Sequence, residues 1–100
     1  MEPMNNEHKY QMHRQLCSEL NEIYVAKNIA YGDSVSETFR KLGPISFITR
    51  MSDKMNRIIA LNKGAENNVK DEKLEDSIKD LANYCLIFLI ELELAGEGAK

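Results

Sequence analysis

The sequence predicts a small all-α protein of four helices, three long and one short, that forms a helical oligomer. Apolar residues recur at intervals of three and four along most of the chain, and no segment shows the two-residue alternation of a half-buried strand. Glycines and a proline separate the periodic segments. Its 100 residues suffice for one domain, so we expect residues 1–100 to form a single all-α domain.

The first helix is predicted over residues 7–29, and Gly32 follows it as a natural stop. One side of this helix carries a mainly apolar stripe: His13, Leu16, Cys17, Leu20, Ile23, Tyr24 and Lys27. Because Cys17 and Cys85 both fall on apolar helix faces, we expect two reduced, buried thiols. His13 and Cys17 are four apart, but a second pair of ligands is missing, so packing explains them better than a metal site.

The second helix is predicted over residues 35–42, with Ser34 and Glu37 in the capping-box pattern and Gly43 as its end. The third helix is predicted over residues 44–62, because Pro44 suits a first helical turn. Its predicted core-facing stripe is Ile48, Met51, Met55, Ile58, Ile59 and Asn62. Gly64 ends it, and residues 63–70 are polar and predict a surface loop.

The fourth helix is predicted to begin at the N-cap Asp71 and to fade near Ala95, leaving residues 96–100 as a frayed tail. Two lines of side chains run along roughly opposite sides of it. The first is Leu74, Ile78, Leu81, Cys85 and Phe88, and the second is Asp76, Asp80, Asn83, Ile87, Ile90 and Leu94. We expect the first and third helices to cover one side and a second copy of the chain to cover the other, with a dimer as the minimal assembly.

The charge balance excludes several classes of partner. A net charge of −3 gives no electrostatic case for duplex nucleic acid or an anionic membrane. The first twenty residues are polar, so no signal peptide is predicted, and the apolar run of residues 84–90 is too short to span a bilayer. We therefore expect a cytoplasmic protein.

An acidic stripe marks the start of the fourth helix. Its members lie at spacings of four, four and three: Glu72, Asp76, Asp80 and Asn83. Oxygen ligands of this kind suit Mg²⁺ shared with a substrate phosphate. The alternative is a solvated helix face whose acids are neutralised by Lys73 and Lys79.

A basic stripe lies on the third helix, where Arg50, Lys54 and Arg57 are spaced by four and three. Such a stripe can capture phosphate, because Arg supplies a bidentate fork and Lys a point charge. The alternative is a surface face with one ion pair between Asp53 and Arg57. We expect the acidic stripe to face this helix or a neighbouring chain, with the basic residues as its opposing wall.

The third feature is the turn at residues 27–34, where a Gly-Asp-Ser sequence precedes the second helix. Backbone N–H groups at a helix start favour anions, and Tyr31 can stack on a base. The alternative is an ordinary turn between helices, with Tyr31 plugging the junction.

Together these features resemble a known family. Three segments carry the resemblance: Lys27-Asn-x-x-Tyr-Gly-Asp-Ser34, Asp53-Lys54-x-x-Arg57, and Asp71-Glu72 followed by Asp76-x-x-x-Asp80-Leu-Ala-Asn-Tyr84. In order and spacing they resemble the phage and bacterial family called nucleotide modification associated domain, type 1, from about residue 27 to residue 92. The resemblance implies a role in nucleotide handling. It indicates a phosphate- or ligand-binding set of Lys27, Tyr31, Gly32, Asp33, Ser34, Arg50, Lys54, Arg57, Asn83 and Tyr84.

The fourth helix is also similar to that of the MazG-type all-α NTP pyrophosphatases, which hold Mg²⁺ with acids from two helices. This similarity implies a metal set of Asp53, Glu72, Asp76 and Asp80. The chain departs from the pattern, since it lacks Glu-Glu-x-x-Glu, for which Glu19 and Glu22 are the nearest substitute. The departure weakens the case for hydrolysis more than the case for binding.

Three functions follow as hypotheses. In the first, the protein captures a phosphate-bearing nucleotide, such as a cyclic or signalling nucleotide, between its helices and sequesters it, as a phage protein acting against host defence would. In the second, it is a Mg²⁺-dependent nucleotide pyrophosphohydrolase. In the third, it is a helical interaction protein without a small-molecule site.

Overall fold

Four helices account for the secondary structure in the computed structural model of the protein, which describes residues 6–64 and 73–98. They are α1 (Asn6–Tyr31), α2 (Ser34–Leu42), α3 (Ile45–Asn62) and α4 (Leu74–Gly98). No strand occurs among these residues, so the all-α class and the number of helices are confirmed. The chain divides into two compact units, Met1–Gly32 and Asp33–Lys100.

Glycines end three of the helices, as predicted. Gly32, Gly43 and Gly64 have φ angles of 75°, 78° and 83°, a left-handed conformation that other residues adopt at a cost. At Gly43 the backbone N–H donates to the carbonyl of Phe39 at 2.7 Å, which satisfies one of the last carbonyls of α2. Gly43 thereby sets the sharp turn from α2 into α3.

We expect Gly43→Ala to lower the free energy of unfolding by about 1–3 kcal/mol, because φ 78° and ψ −162° is a backbone conformation that essentially only glycine adopts. No atom lies within 4 Å of the position a Cβ would take, so the effect is one of backbone conformation alone. The matched control is Gly96→Ala inside α4, where a Cβ is also unobstructed and alanine should stabilise by about 0.5–1 kcal/mol. Urea unfolding followed by circular dichroism measures both, and equal effects of the two substitutions would contradict this reading of Gly43.

The start of α2 differs from the prediction. Ser34 is the first residue of the helix rather than its cap, so the predicted Ser34–Glu37 capping box is wrong. Asp33 occupies the cap position, and its carbonyl accepts the N–H of Glu37 at 3.0 Å. The Asp33 side chain instead pairs with Arg40 at 3.4 Å, a charge at the other end of the helix. The Asp33 carboxylate therefore contacts the Arg40 guanidinium and makes no capping hydrogen bond to the backbone at the start of α2.

The remaining boundaries differ by a few residues. Helix α3 begins at Ile45, with Pro44 as the residue before its first turn. Helix α4 continues to Gly98, so the predicted fading near Ala95 is wrong for residues 96–98. The predicted cap Asp71 and most of the predicted loop lie outside the described residues.

Antiparallel packing of α3 against α4 forms the centre of the second unit. Phe47, near the start of α3, stacks on Phe88 in the second half of α4, with ring centroids 4.8 Å apart. Two turns later along α3, the Nζ of Lys54 lies 3.0 Å from a carboxylate oxygen of Asp80, near the start of α4. Phe39 of α2 joins the cluster at 5.7 Å from the Phe47 ring. Among the described residues the buried apolar side chains are Phe47 and Ile87.

The predicted core-facing stripe of α3 is largely wrong. Ile48, Met55 and Ile59 are 45–48% exposed, whereas Phe47 is fully buried. The helix is apolar around more than half of its circumference, so periodicity alone admits several faces. The largest ring selects the face that packs, because its burial contributes most. On α4, Ile78 of the first predicted line is likewise 47% exposed.

Helix α1, the described part of the first unit, is longer than predicted by one residue at its start and two at its end. None of its residues is buried, so the expectation of a buried Cys17 is wrong. Cys17 and Cys85 are both free, as predicted, and the Sγ of Cys17 lies 3.7 Å from the Nδ1 of His13.

Candidate functional site

The two flanks of the α3–α4 pair differ in chemistry. On α3, Phe47 and Lys54 are seven residues apart and contact Phe88 and Asp80 of α4. Around α4, the stripe of Ser77, Tyr84 and Glu91, also spaced by seven, lies between Asp80 and Phe88, so we take these residues of the two helices as the facing positions. Each residue of an α-helix is rotated by about 100° from the one before it. Because the two right-handed helices are antiparallel, residues at the same offset from these facing positions lie on the same flank of the pair.

One flank is polar. Residues one before or three after a facing position point to this side, and they include most of the predicted acidic and basic stripes. We call the following set, together with the bordering Lys54, the polar flank: Arg50, Asp53 and Arg57 of α3, and Asp76, Asp80 and Asn83 of α4. The fold therefore brings both predicted stripes to one side of the second unit.

The contact between Lys54 and Asp80 confirms that the two stripes face each other. Their side chains are 27% and 28% exposed, so the ion pair is neither buried nor freely solvated. At this exposure a third charged group can replace one member of the ion pair, because the desolvation penalty of a partly exposed pair is small. Lys54 thus carries a positive charge at the border of a half-covered surface, where an anion can reach it.

The other members of the polar flank differ in exposure. Arg50, Arg57 and Asn83 are half-buried, and Asp53 is exposed. Tyr84, at a facing position on α4, is also half-buried. The predicted ligand-binding residues of α3 and α4 therefore lie together, within the same few turns of the helix pair.

The predicted metal ligands are not gathered in the described part of the chain. The Asp76 carboxylate accepts the backbone N–H of Lys73 at 3.2 Å, a hydrogen bond that stabilises the start of α4. Asp80 is engaged by Lys54, and Glu72 lies outside the described residues. Within residues 6–64 and 73–98, no three or more His, Cys, Asp or Glu residues are placed to hold a metal ion.

The predicted turn at residues 27–34 spans the division between the two units. Lys27, Tyr31 and Gly32 belong to the first unit, where Tyr31 is 77% exposed. Asp33 and Ser34 belong to the second unit, and the Ser34 carbonyl accepts the hydroxyl of Thr38 at 2.9 Å. The pairing of Asp33 with Arg40 was not predicted from the sequence.

A buried polar pair was also missed. The Ser36 hydroxyl of α2 donates to the carboxylate of Glu91 on α4, and the two residues are 2% and 7% exposed. Ser77, one of the facing positions, is fully buried. The signal available in the sequence was the spacing of seven from Ser77 to Tyr84 to Glu91, which places all three on one stripe of α4.

Comparison with known proteins gives one result. The pattern of the family described as Nucleotide modification associated domain 1 matches residues 27–92, about two thirds of the chain. No curated protein and no solved structure matches the chain at a significant level. None of the described helices is long and apolar enough to cross a bilayer.

Proposed function

Because the chain belongs to the Nucleotide modification associated domain 1 family, we propose that it binds a phosphate-bearing nucleotide on the polar flank of the α3–α4 pair. It captures the ligand, such as a cyclic or signalling nucleotide, and releases it intact. The working form is a homo-oligomer. The observation that supports the proposal is the contact of Lys54 with Asp80, which brings the basic stripe of α3 against the polar half of α4.

Phosphate is the group that these cations suit. Arg50 and Arg57 offer planar forks of N–H donors, and Lys54 offers a compact point charge. An arriving phosphate competes with Asp80 for Lys54, and at 27% exposure this exchange has a low desolvation penalty. Asn83 adds both a donor and an acceptor, which suits a base edge or a sugar hydroxyl.

Capture is favoured over hydrolysis by the contacts of the acids. Asp80 is engaged with Lys54, and Asp76 accepts the Lys73 N–H at the start of α4. The two carboxylates therefore stabilise the helix pair and the helix end instead of converging on a shared ligand. A pyrophosphohydrolase needs acids that converge on its metal.

Identification of the bound molecule tests the proposal. The purified protein is denatured and the released small molecules are identified by mass spectrometry, and a nucleotide panel is titrated calorimetrically with and without Mg²⁺. We expect one nucleotide class to bind and to be recovered unchanged after long incubation. Recovery of its hydrolysis products in the presence of Mg²⁺ would establish the enzyme instead, and no binding by any nucleotide would overturn both.

We expect Arg57→Gln to weaken nucleotide binding roughly tenfold, because a charge-assisted hydrogen bond to phosphate contributes more than about 1.4 kcal/mol even when half exposed. The measurement is the dissociation constant at fixed ionic strength. Lys63→Gln, at the exposed C-terminal end of α3, removes the same charge away from the polar flank and should leave the affinity nearly unchanged. Equal weakening by both substitutions would indicate attraction by net charge alone, without a site at Arg57.

A further inference from the structure

The flank opposite the polar flank is apolar and open. Its residues form one row on α3 and one on α4. Each residue either directly follows a facing position or lies three or four residues from one that does. We call this set the apolar flank: Ile45, Ile48, Met55 and Ile59 of α3, and Ile78, Cys85, Leu89 and Leu92 of α4. The seven aliphatic and methionine side chains among them are each between 45% and 63% exposed.

The two rows follow the repeat of a helix-packing seam. The row on α3 advances by three, four, three and four residues through Ser52, and the row on α4 advances by four, three, four and three through Ala82. No charged residue falls in either row. Alternating steps of three and four keep a stripe facing one partner along a helix, as in helical bundles. A solvated surface of this length would carry charges.

From these observations we infer that the apolar flank is the interface with a second copy of this chain, so that α3 and α4 of the two copies form a four-helix bundle. The inference deepens the assembly part of the proposed function and does not depend on the ligand. It assigns the second copy to one flank of the α3–α4 pair, whereas the sequence predicted only that a second copy covers one of the two sides of α4.

The area of the apolar flank supports a partner of this size. Seven half-exposed side chains present on the order of 400 Å² of apolar surface. A standard interface takes about 800 Å² from each partner, of which a little over half is apolar. The largest apolar patch of a monomer is about 300–600 Å² and is often functional, so the apolar flank has the size of a binding surface.

The absence of charge in both rows favours a second copy over an unrelated partner. An isologous dimer places the same surface on both sides of a two-fold axis, so a charge near that axis would meet itself. An uncharged flank of two antiparallel helices is self-complementary under such an axis, and its four-helix product is a common architecture. The second unit also gains a larger core in this way, since its described residues bury only Phe47 and Ile87 among apolar side chains.

The test is a pair of charge insertions on α4. Leu89→Glu places a carboxylate at the most exposed residue of the apolar flank, where Leu89 is 63% exposed. Leu94→Glu is the matched control, because Leu94 is 53% exposed on the same helix but points to the polar flank's side. The mass in solution is measured by sedimentation at several concentrations, and helix content by circular dichroism.

We expect the wild type and Leu94→Glu to sediment as dimers, at twice the 11.5 kDa of one chain, and Leu89→Glu to sediment as a monomer with retained helix. A monomeric wild type at all concentrations, or a dimeric Leu89→Glu, overturns the inference. Should Leu89→Glu lose its helix, Leu89→Ala and Leu94→Ala replace the pair. A rise of tenfold or more in the dimer dissociation constant for Leu89→Ala alone then supports the inference, and an equal effect of both overturns it.

The outcome is separable from that of the nucleotide proposal. Because the polar flank lies on the other side of the helix pair, monomeric Leu89→Glu should bind the nucleotide that the wild type binds. A dimer that binds no nucleotide overturns the proposed function alone, and a nucleotide-binding wild-type monomer overturns the interface alone.

Discussion

Phe47→Ala is expected to lower the free energy of unfolding by about 3–5 kcal/mol, the usual loss when a fully buried phenylalanine is truncated. Phe47 is 0% exposed, stacks on Phe88 with centroids 4.8 Å apart, and lies 5.7 Å from the ring of Phe39. Each ring of the cluster contacts both others, since Phe39 and Phe88 are also 6.3 Å apart, but Phe47 is the ring that is fully buried. Since small domains are stable by only about 5–15 kcal/mol, the variant should be near the limit of folding.

Urea unfolding followed by circular dichroism measures this loss, at one protein concentration for all variants. Leu42→Ala is the control, because Leu42 is 64% exposed at the end of α2 and should change stability by less than about 1 kcal/mol. A loss at Phe47 no larger than the loss at Leu42 would show that the aromatic cluster does not anchor the unit.

Glu91→Ala is expected to lower the free energy of unfolding by about 1–3 kcal/mol, because it leaves the buried Ser36 hydroxyl without its acceptor. Glu91→Gln should recover most of this loss, since its amide oxygen can accept the same hydrogen bond. Glu93→Ala, two residues further along α4 and exposed, is the matched control and should have little effect.

A double-mutant cycle with Ser36→Ala separates the pair from its surroundings. Since either single substitution breaks the same hydrogen bond, the double variant should be little less stable than Glu91→Ala. Strict additivity of the two losses in unfolding free energy would show that Ser36 and Glu91 act independently. The contact between α2 and α4 would then be stabilised by packing and not by this hydrogen bond.

The elements of the fold were largely predictable, because local rules determine them. Gly32, Gly43 and Gly64 end helices through their own backbone conformation, and the three-four rhythm between them identifies the helices. The face on which α3 packs was not predictable, since Phe47 and Ile48 are neighbours with similar hydrophobicity and only tertiary contacts distinguish them.

The candidate site was predictable in part. The sequence predicted that the acidic stripe of the fourth helix faces the third helix or a neighbouring chain, and the ion pair of Lys54 with Asp80 agrees with the first alternative. The spacing of seven places Glu91 on the stripe of Ser77, but its pairing with Ser36 was not predictable, because the two residues are 55 positions apart. The pairing of Asp33 with Arg40 depends on a choice between backbone and side-chain partners, which spacing alone does not decide.

The seven-residue spacing of the facing positions also constrains how this chain can change over evolution. One residue inserted in α4 between Ser77 and Tyr84 would turn everything after it by about 100° relative to what precedes it. An insertion just before Tyr84 would bring Leu89 into line with Asn83 on the polar flank, turn Leu92 away from α3, and move the carboxylate of Glu91 away from Ser36. Insertions of a whole seven-residue unit keep both flanks in phase. Related chains should therefore vary in the length of α3 and α4 by sevens, while substitutions remain free on either flank as long as its polarity is kept.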